Sequence, residues 1–265
     1  MTLSEMITAV RDNPGRVIVP ESWGQGRAGF GGLAAALVYE AMQAQVPEGR
    51  PVRSLAITFV GPLAVDVPVS YEAEVLREGK SVSQVLGRAV QNGHVVTLVQ
   101  GSFGAPRDSA VRVAAEPAPL LPSVEECQEL PYIPGATPEF TRHLAMRWGI
   151  GGLPFSGNTS REMGGWVRLR GEVEREPVTA SHVLALVDAW PPAVLSHLKS
   201  FAPGSSLTWT IEFVQPIPSI DTHEWCRYRA IIEHAQDGYG HCAAALWSGE
   251  GELIALSRQT VTVFG

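Results

Sequence analysis

The chain has 265 residues, 27 of them acidic and 20 basic, for a net charge of −7. That length fits two domains with real hydrophobic cores, and the acidic balance excludes a nucleic-acid binder carried by a basic field. Cys127, Cys226 and Cys242 are odd in number and lack CxxC spacing, which argues against a disulfide framework or a zinc site. No apolar run approaches the ~18 residues of a membrane span. The expectation is a cytoplasmic protein with no membrane or nucleic-acid partner, no metal and no other cofactor.

In chain order, Leu3, Met6, Ile7 and Val10 stand at helical spacing behind a Thr2-x-x-Glu5 capping pattern and predict a short first helix. Asp12-Asn13-Pro14-Gly15 reads as a turn, 16–20 as a brief strand and 21–29 as a polar loop. Residues 27–46 read as a long helix, with Phe30, Leu33, Leu37 and Ala41 on one face and Glu40 and Gln43 turned away. Its opening, Phe30-Gly31-Gly32, has two readings. The glycines permit a close contact of helix on sheet, or they leave the first helical N–H groups open to a carbonyl oxygen or phosphate. Four strand-like runs follow at 52–62, 67–78, 81–91 and 94–104, joined by turns such as Asn92-Gly93. Residues 104–162 then hold eight of the twenty prolines and read as a linker or crossover, with a short helix over 138–148.

From Met163 the order begins again: a strand at 164–171, a helix over 179–199, and strands near 205–216, 223–235, 239–248 and 252–264. Phe59-Val60-Gly61-Pro62-Leu63 returns as Phe213-Val214-Gln215-Pro216-Ile217, 154 positions on. The chain therefore reads as two copies of one domain, 1–106 and 160–265, joined by a proline-rich linker at 107–159. The copies differ in polar groups. Asp188 lies in an otherwise apolar helix where the first copy has Ala34, and Gln259 lies in the last strand where aligning the turns puts Gly101. A carboxylate in such a helix needs a partner. Asp188 can instead cap the break at Pro191-Pro192, and Gln259 can be an outward strand residue. The seven histidines show no metal-ligand spacing, no base can be named for a thiol nucleophile, and the GxSxG elbow is absent.

The stretches RAGFGGLAAALVYEA, VRSLAITFVGPL, QNGHVV leading to GSFGAP, LALVDAW and LIALSRQ resemble the bacterial acyl-CoA thioesterase II family over nearly the whole chain. The resemblance implies an α+β double hotdog, two antiparallel sheets each wrapped around a long central helix. It implies hydrolysis of acyl-CoA by a water held by an Asp, a Thr or Ser, and a Gln. Asp188 and Gln259 match two of these. Ser206 takes the hydroxyl position, with Thr208 two residues on and expected on the same side of the strand. Phe30, Gly31 and Gly32 are the expected substrate-binding residues, their backbone N–H groups facing the thioester carbonyl. The alternative is a non-catalytic acyl-CoA or acyl-chain binding protein. Free strand edges suit further assembly as a homo-oligomer.

Overall fold

The first turn forms as the capping pattern implies. In the computed structural model, which describes residues 1–264, the Thr2 hydroxyl accepts the Glu5 N–H at 3.2 Å and Glu5 Oε2 accepts the Thr2 N–H at 2.8 Å. This box starts helix α1 (Leu3–Asp12), which buries Leu3, Met6, Ile7 and Val10. A two-residue strand β1 (Val17–Ile18) and a small hairpin, β2 (Gly24–Gln25) and β3 (Ala28–Gly29), lead to helix α2 (Gly31–Gln43). The hairpin takes residues 27–29 of the stretch expected as helix, and Phe30 becomes the N-cap of α2.

Helix α2 is buried from Gly32 to Met42, including Glu40, which is 5% exposed. This corrects the expectation that Glu40 turns away. Arg11 of α1 donates to Glu40 Oε2 at 2.8 Å, and the Ser181 hydroxyl donates to Glu40 Oε1, so neighbours from two other elements supply the partners a buried carboxylate requires. The meander follows as β4 (Val52–Phe59), β5 (Pro68–Glu78), β6 (Val82–Gln91) and β7 (His94–Gly104). Asn92 and Gly93, with φ of 54° and 78°, turn β6 into β7 in the left-handed conformation that suits a two-residue hairpin.

The segment expected as linker is partly structured. It contains β8 (Gln128–Glu129) and β9 (Leu144–Ile150), and the helix expected over 138–148 shrinks to a single 3-10 turn at Glu139–Arg142. The sequence of β9, LAMRWGI, is too continuously apolar to alternate, and pairing with β10 (Glu162–Leu169) on one side and β8 on the other draws it into the sheet. Helix α3 covers only Ala180–Asp188, not 179–199. Pro191 and Pro192 lack the N–H groups that would continue it, and a 3-10 turn at Ala193–His197 resumes beyond them. The last four strands are β11 (Gly204–Phe213), β12 (Cys226–Gln236), β13 (Tyr239–Trp247) and β14 (Leu253–Val263).

All strands except the β2–β3 hairpin join one twelve-stranded sheet, in the order β1-β5-β6-β7-β4-β11-β14-β13-β12-β10-β9-β8. The two separate sheets expected are thus halves of one. They meet where β4 pairs antiparallel with β11, Ala56 opposite Thr210. Those two residues are 154 positions apart, the same spacing as the Phe59 and Phe213 motifs. The two motif-bearing strands therefore face each other about the Ala56–Thr210 pair, as an internal two-fold relating the halves of the sheet would place them. The helices also pair end to end, although not at the 154-position spacing, since α2 starts at Gly31 and α3 at Ala180. Gly31 and Gly32, at the start of α2, meet Asp188 at the end of α3, while Glu40 near the end of α2 meets Ser181 at the start of α3. The helices thus run antiparallel, side by side on the core face of the sheet.

Candidate active site

The end of α3 brings Asp188 against the start of α2. Its carboxylate accepts from Gln259 Nε2 at 2.7 Å and from the Gly32 backbone N–H. The first turn of a helix carries unsatisfied N–H groups and a partial positive charge, so this is a favourable place for a carboxylate. Burial acts the other way and is the larger effect. It pushes the Asp188 pKa from 3.8 up to about 7, against the lowering pull of the Gln259 and Gly32 bonds. A carboxyl group in this range can hold or release a proton near neutrality.

Gln259 reaches this point because Ala255, Ser257 and Val261, its neighbours at alternate positions of β14, are all buried, which sets its side chain on the helix-facing side. The outward reading of Gln259 does not apply. Nor does Asp188 serve the break at Pro191; its partners are Gln259 and Gly32. The strand register also fixes what the first half has in these places. Gly101 pairs with Leu55 as Gln259 pairs with Trp209, and Leu55 and Trp209 are 154 positions apart. Gly101 therefore occupies the equivalent of Gln259, in agreement with the alignment of the turns.

The two hydroxyl candidates are separated by a bulge. Between Ser206 and Thr208 the register of β11 against β14 shifts by one residue, leaving Leu207 unpaired. Cross-strand partners share a face. Ser206, opposite buried Val261, stays on the core side, whereas Thr208, opposite exposed Thr58 of β4 and Thr260 of β14, lies on the outer side and is exposed. The expectation that both face the same way is corrected by this extra residue. Among the described residues no hydrogen bond joins either hydroxyl to Asp188 or Gln259.

The glycines at the start of α2 have a packing reason. A Cβ on Gly31 would stand 2.9 Å from Asp188 Oδ2 and 3.1 Å from the Phe59 ring, and one on Gly32 would stand 2.6 Å from Phe30 Cζ. Phe30 itself is buried, stacked on Phe140 with ring centroids 4.2 Å apart. Phe30 supports the helix start through its ring while the glycines let the carboxylate approach. Three aromatic residues to which the sequence assigns no role in the site complete the surroundings. Phe59 closes one side of Asp188, and two residues beyond Asp188 the Trp190 ring stacks on Tyr228 at 5.0 Å. Phe59, the first letter of the repeated motif, and Trp190, the last of LALVDAW, carry a sequence signal; Tyr228 carries none.

Two clefts are present elsewhere, one of about 180 Å³ between α1, α2 and β5, the other of about 600 Å³ beside Trp148, and neither is lined by Asp188 or Gln259. Among the described residues no group of three or more His, Cys, Asp or Glu is placed to hold a metal ion, and no helix is long and apolar enough to cross a membrane.

The fold and this paired helix end define a hot dog fold protein. Over 97% of this chain and 98% of its own, a hot dog fold protein of unknown function from Alicyclobacillus acidocaldarius superposes with a TM-score of 0.80 at 23% identity. An acyl-CoA thioesterase II from Mycobacterium marinum covers 94% of this chain and 93% of its own, with a TM-score of 0.67 at 19% identity. Residues 19–104 match the family model of the acyl-CoA thioesterase N-terminal domain, and residues 124–263 that of the C-terminal domain. The chain belongs to the acyl-CoA thioesterase family and is a thioester hydrolase by class. Acyl-CoA thioesterase 2 of Haemophilus influenzae is 24% identical over 247 residues, covering 87% of this chain and 85% of that protein.

Proposed function

We propose that the chain is a double hotdog that hydrolyses acyl-CoA to a free acid and coenzyme A, with Asp188 as general base. The observation that carries this reading is the Asp188 carboxylate, raised to about 7 by burial and held by Gln259 at 2.7 Å beside the first turn of α2. Gln259 Nε2 donates to Asp188, which leaves Gln259 Oε1 to accept one hydrogen of a water. Asp188 takes the other proton as the water oxygen bonds to the thioester carbon. The Gly31 N–H, at the positive end of α2, receives the oxyanion while Gly32 N–H stays on Asp188. Collapse of the intermediate breaks the C–S bond, and the proton held by Asp188 goes to the leaving thiolate. Ser206, on the core side of β11, is the hydroxyl that orients the water; Thr208 has no part in it. In this reading the first hotdog ends near residue 106, and the second starts before residue 160, since β9 belongs to its sheet. The three cysteines are free and buried, which fits a reducing cytoplasm.

One observation favours the second reading, a non-catalytic acyl-CoA binding protein: no hydroxyl is bonded to the Asp188–Gln259 pair among the described residues. Release of free coenzyme A thiol across acyl-CoAs of short to long chain separates the two. The proposal expects release with at least one chain length. Binding of acyl-CoA with no thiol released from any of them gives the place to the second reading.

A further inference from the structure

The larger cleft lies between the end of β9 and the loop 151–158 and has about 600 Å³, within the range of sites that hold small molecules. Its polar lining is Gln128, Ser156 and Asn158, with Trp148, Leu153 and four glycines; no ionised side chain contributes. The loop is firmly built. Phe155 sits at φ 64°, a left-handed conformation that bulky residues rarely adopt, and such strain persists only where neighbours fix it. Here three backbone bonds do so: Phe155 N–H to Leu195 O at 2.9 Å, Gly157 N–H to Leu198 O at 2.8 Å and Asn158 N–H to Ser196 O at 2.8 Å. A Cβ on Gly152 would collide with Asn158 Cβ and Ser156 Oγ, so the glycine keeps both polar residues in place.

The cleft also adjoins the segment that carries Asp188. Trp148 packs at 4.7 Å on Trp190, two residues beyond Asp188, and residues 195–198, which hold the loop, follow it directly. Trp190 packs on Trp148 and stacks on Tyr228, which lie opposite Gly165 of β10 on its two sides, and a side chain at Gly165 would strike the Arg147 carbonyl of β9. Behind Trp148, outside the cleft lining, the Trp190 Nε1–H is buried without an acceptor, although buried donors are nearly always bonded.

We propose that this cleft binds the pantetheine arm of the coenzyme A in the substrate, an assignment that rests on the acyl-CoA hydrolase reading. The lining decides among the parts of such a substrate. Phosphates call for Arg or Lys, which do not line the cleft, and an alkyl chain calls for an apolar wall. Two carboxamides, a hydroxyl and an aromatic ring suit an uncharged chain carrying amides, which Asn158 and Gln128 can pair in both donor and acceptor sense.

The test is Asn158→Asp. Asn158 Oδ1 accepts the Ser160 N–H at 2.7 Å, and aspartate keeps that bond while replacing the amide donor with an anionic oxygen. Steady-state kinetics are measured with an acyl-CoA and with the same acyl group on N-acetylcysteamine, which lacks the outer part of the arm. The KM for acyl-CoA is expected to rise about tenfold with kcat within about twofold, and the KM for the short thioester to stay unchanged. An equal rise for both thioesters, or no rise for either, overturns the assignment. Quenching of tryptophan fluorescence by free pantetheine gives a readout without turnover. Saturable quenching weakened by Asn158→Asp supports the cleft even if no thioester is hydrolysed, an outcome that would sink only the hydrolase reading. Absence of saturable quenching in the unmodified protein overturns the cleft assignment.

Discussion

The two halves of the sheet can be compared position by position, because the register across β4 and β11 makes their equivalence unambiguous. Where the second half has Gln259 on its last strand, the first has Gly101. On the helices the expected match of Asp188 with Ala34 does not hold, because Ala34 lies in the first turn of α2 while Asp188 ends α3. The acid near the end of α2 that meets the start of the other helix is Glu40. The space at Gly101 is not left open. A Cβ on Gly101 would stand 2.7 Å from Met42 Cε, 2.8 Å from the Phe103 ring and 2.9 Å from Leu55 Cδ2, so apolar groups have closed in over the glycine. The first half retains the other component, a glycine-opened helix start that faces the acid of its partner. The first half ties its own buried acid, Glu40, to Arg11 and the Ser181 hydroxyl and lends a helix start to Asp188, whose partners are the neutral donors of Gln259 and Gly32. A close-packed interior does not keep a polar cavity without polar groups to line it.

This division of labour is broken most severely by Asp188→Asn, which keeps size and hydrogen bonding but removes the base. Turnover of acyl-CoA should fall by roughly 10²- to 10⁴-fold, measured by thiol release. The same variant should be more stable than the parent at pH 8. The folded pKa of about 7 lies above the ordinary 3.8, so the parent loses stability progressively as pH rises from ~4 to ~7, by up to about 4 kcal/mol, the loss is complete above pH ~7, and the difference from Asp188→Asn should vanish below pH ~4. Denaturant unfolding at the two pH values checks the sign.

The contribution of the first half is tested by Gly31→Ala. The added methyl meets Asp188 Oδ2 and the Phe59 ring, so the carboxylate must move, and kcat should drop by about 10²-fold with smaller change in KM. Activity equal to the parent would mean that the glycine serves packing alone. Gln259→Ala should follow with a loss of roughly 10- to 100-fold, since a neutral orienting amide contributes hydrogen bonds worth about 1–3 kcal/mol when buried. The smallest effect separates the hydroxyls. Ser206→Ala should reduce kcat about tenfold, whereas Thr208→Ala, on the outer side of the bulge, should leave it within about twofold. The opposite order would place the functional face of β11 on the wrong side.

That last pair marks where the sequence stopped being legible. The helix-then-meander order on each side of 104–162 and the isolation of Asp188 in an apolar helix can be read from periodicity and spacing. The bulge cannot, because Leu207 is an apolar residue in a strand and nothing local says that it goes unpaired. The merging of two sheets into one depends on which edges meet, and β4 and β11 carry no letter that specifies each other. Helix α3 was read too long because Ala193, Val194, Leu195 and Leu198 continue an apolar pattern that the prolines interrupt sterically. The burial of Glu40 was hidden for a different reason: its partners, Arg11 and Ser181, are distant in sequence.

The account rests on an acid that is poised near neutrality at the end of α3, and the pH dependence of kcat/KM for acyl-CoA hydrolysis by the unmodified protein tests this most directly. Because the base must be ionised to act, kcat/KM should rise with pH on a single limb with an apparent pKa near 7 and then level off. A profile that is flat from about pH 5 to 9, or a limb near the ordinary carboxyl value of about 4, would contradict the assignment of Asp188 as the base.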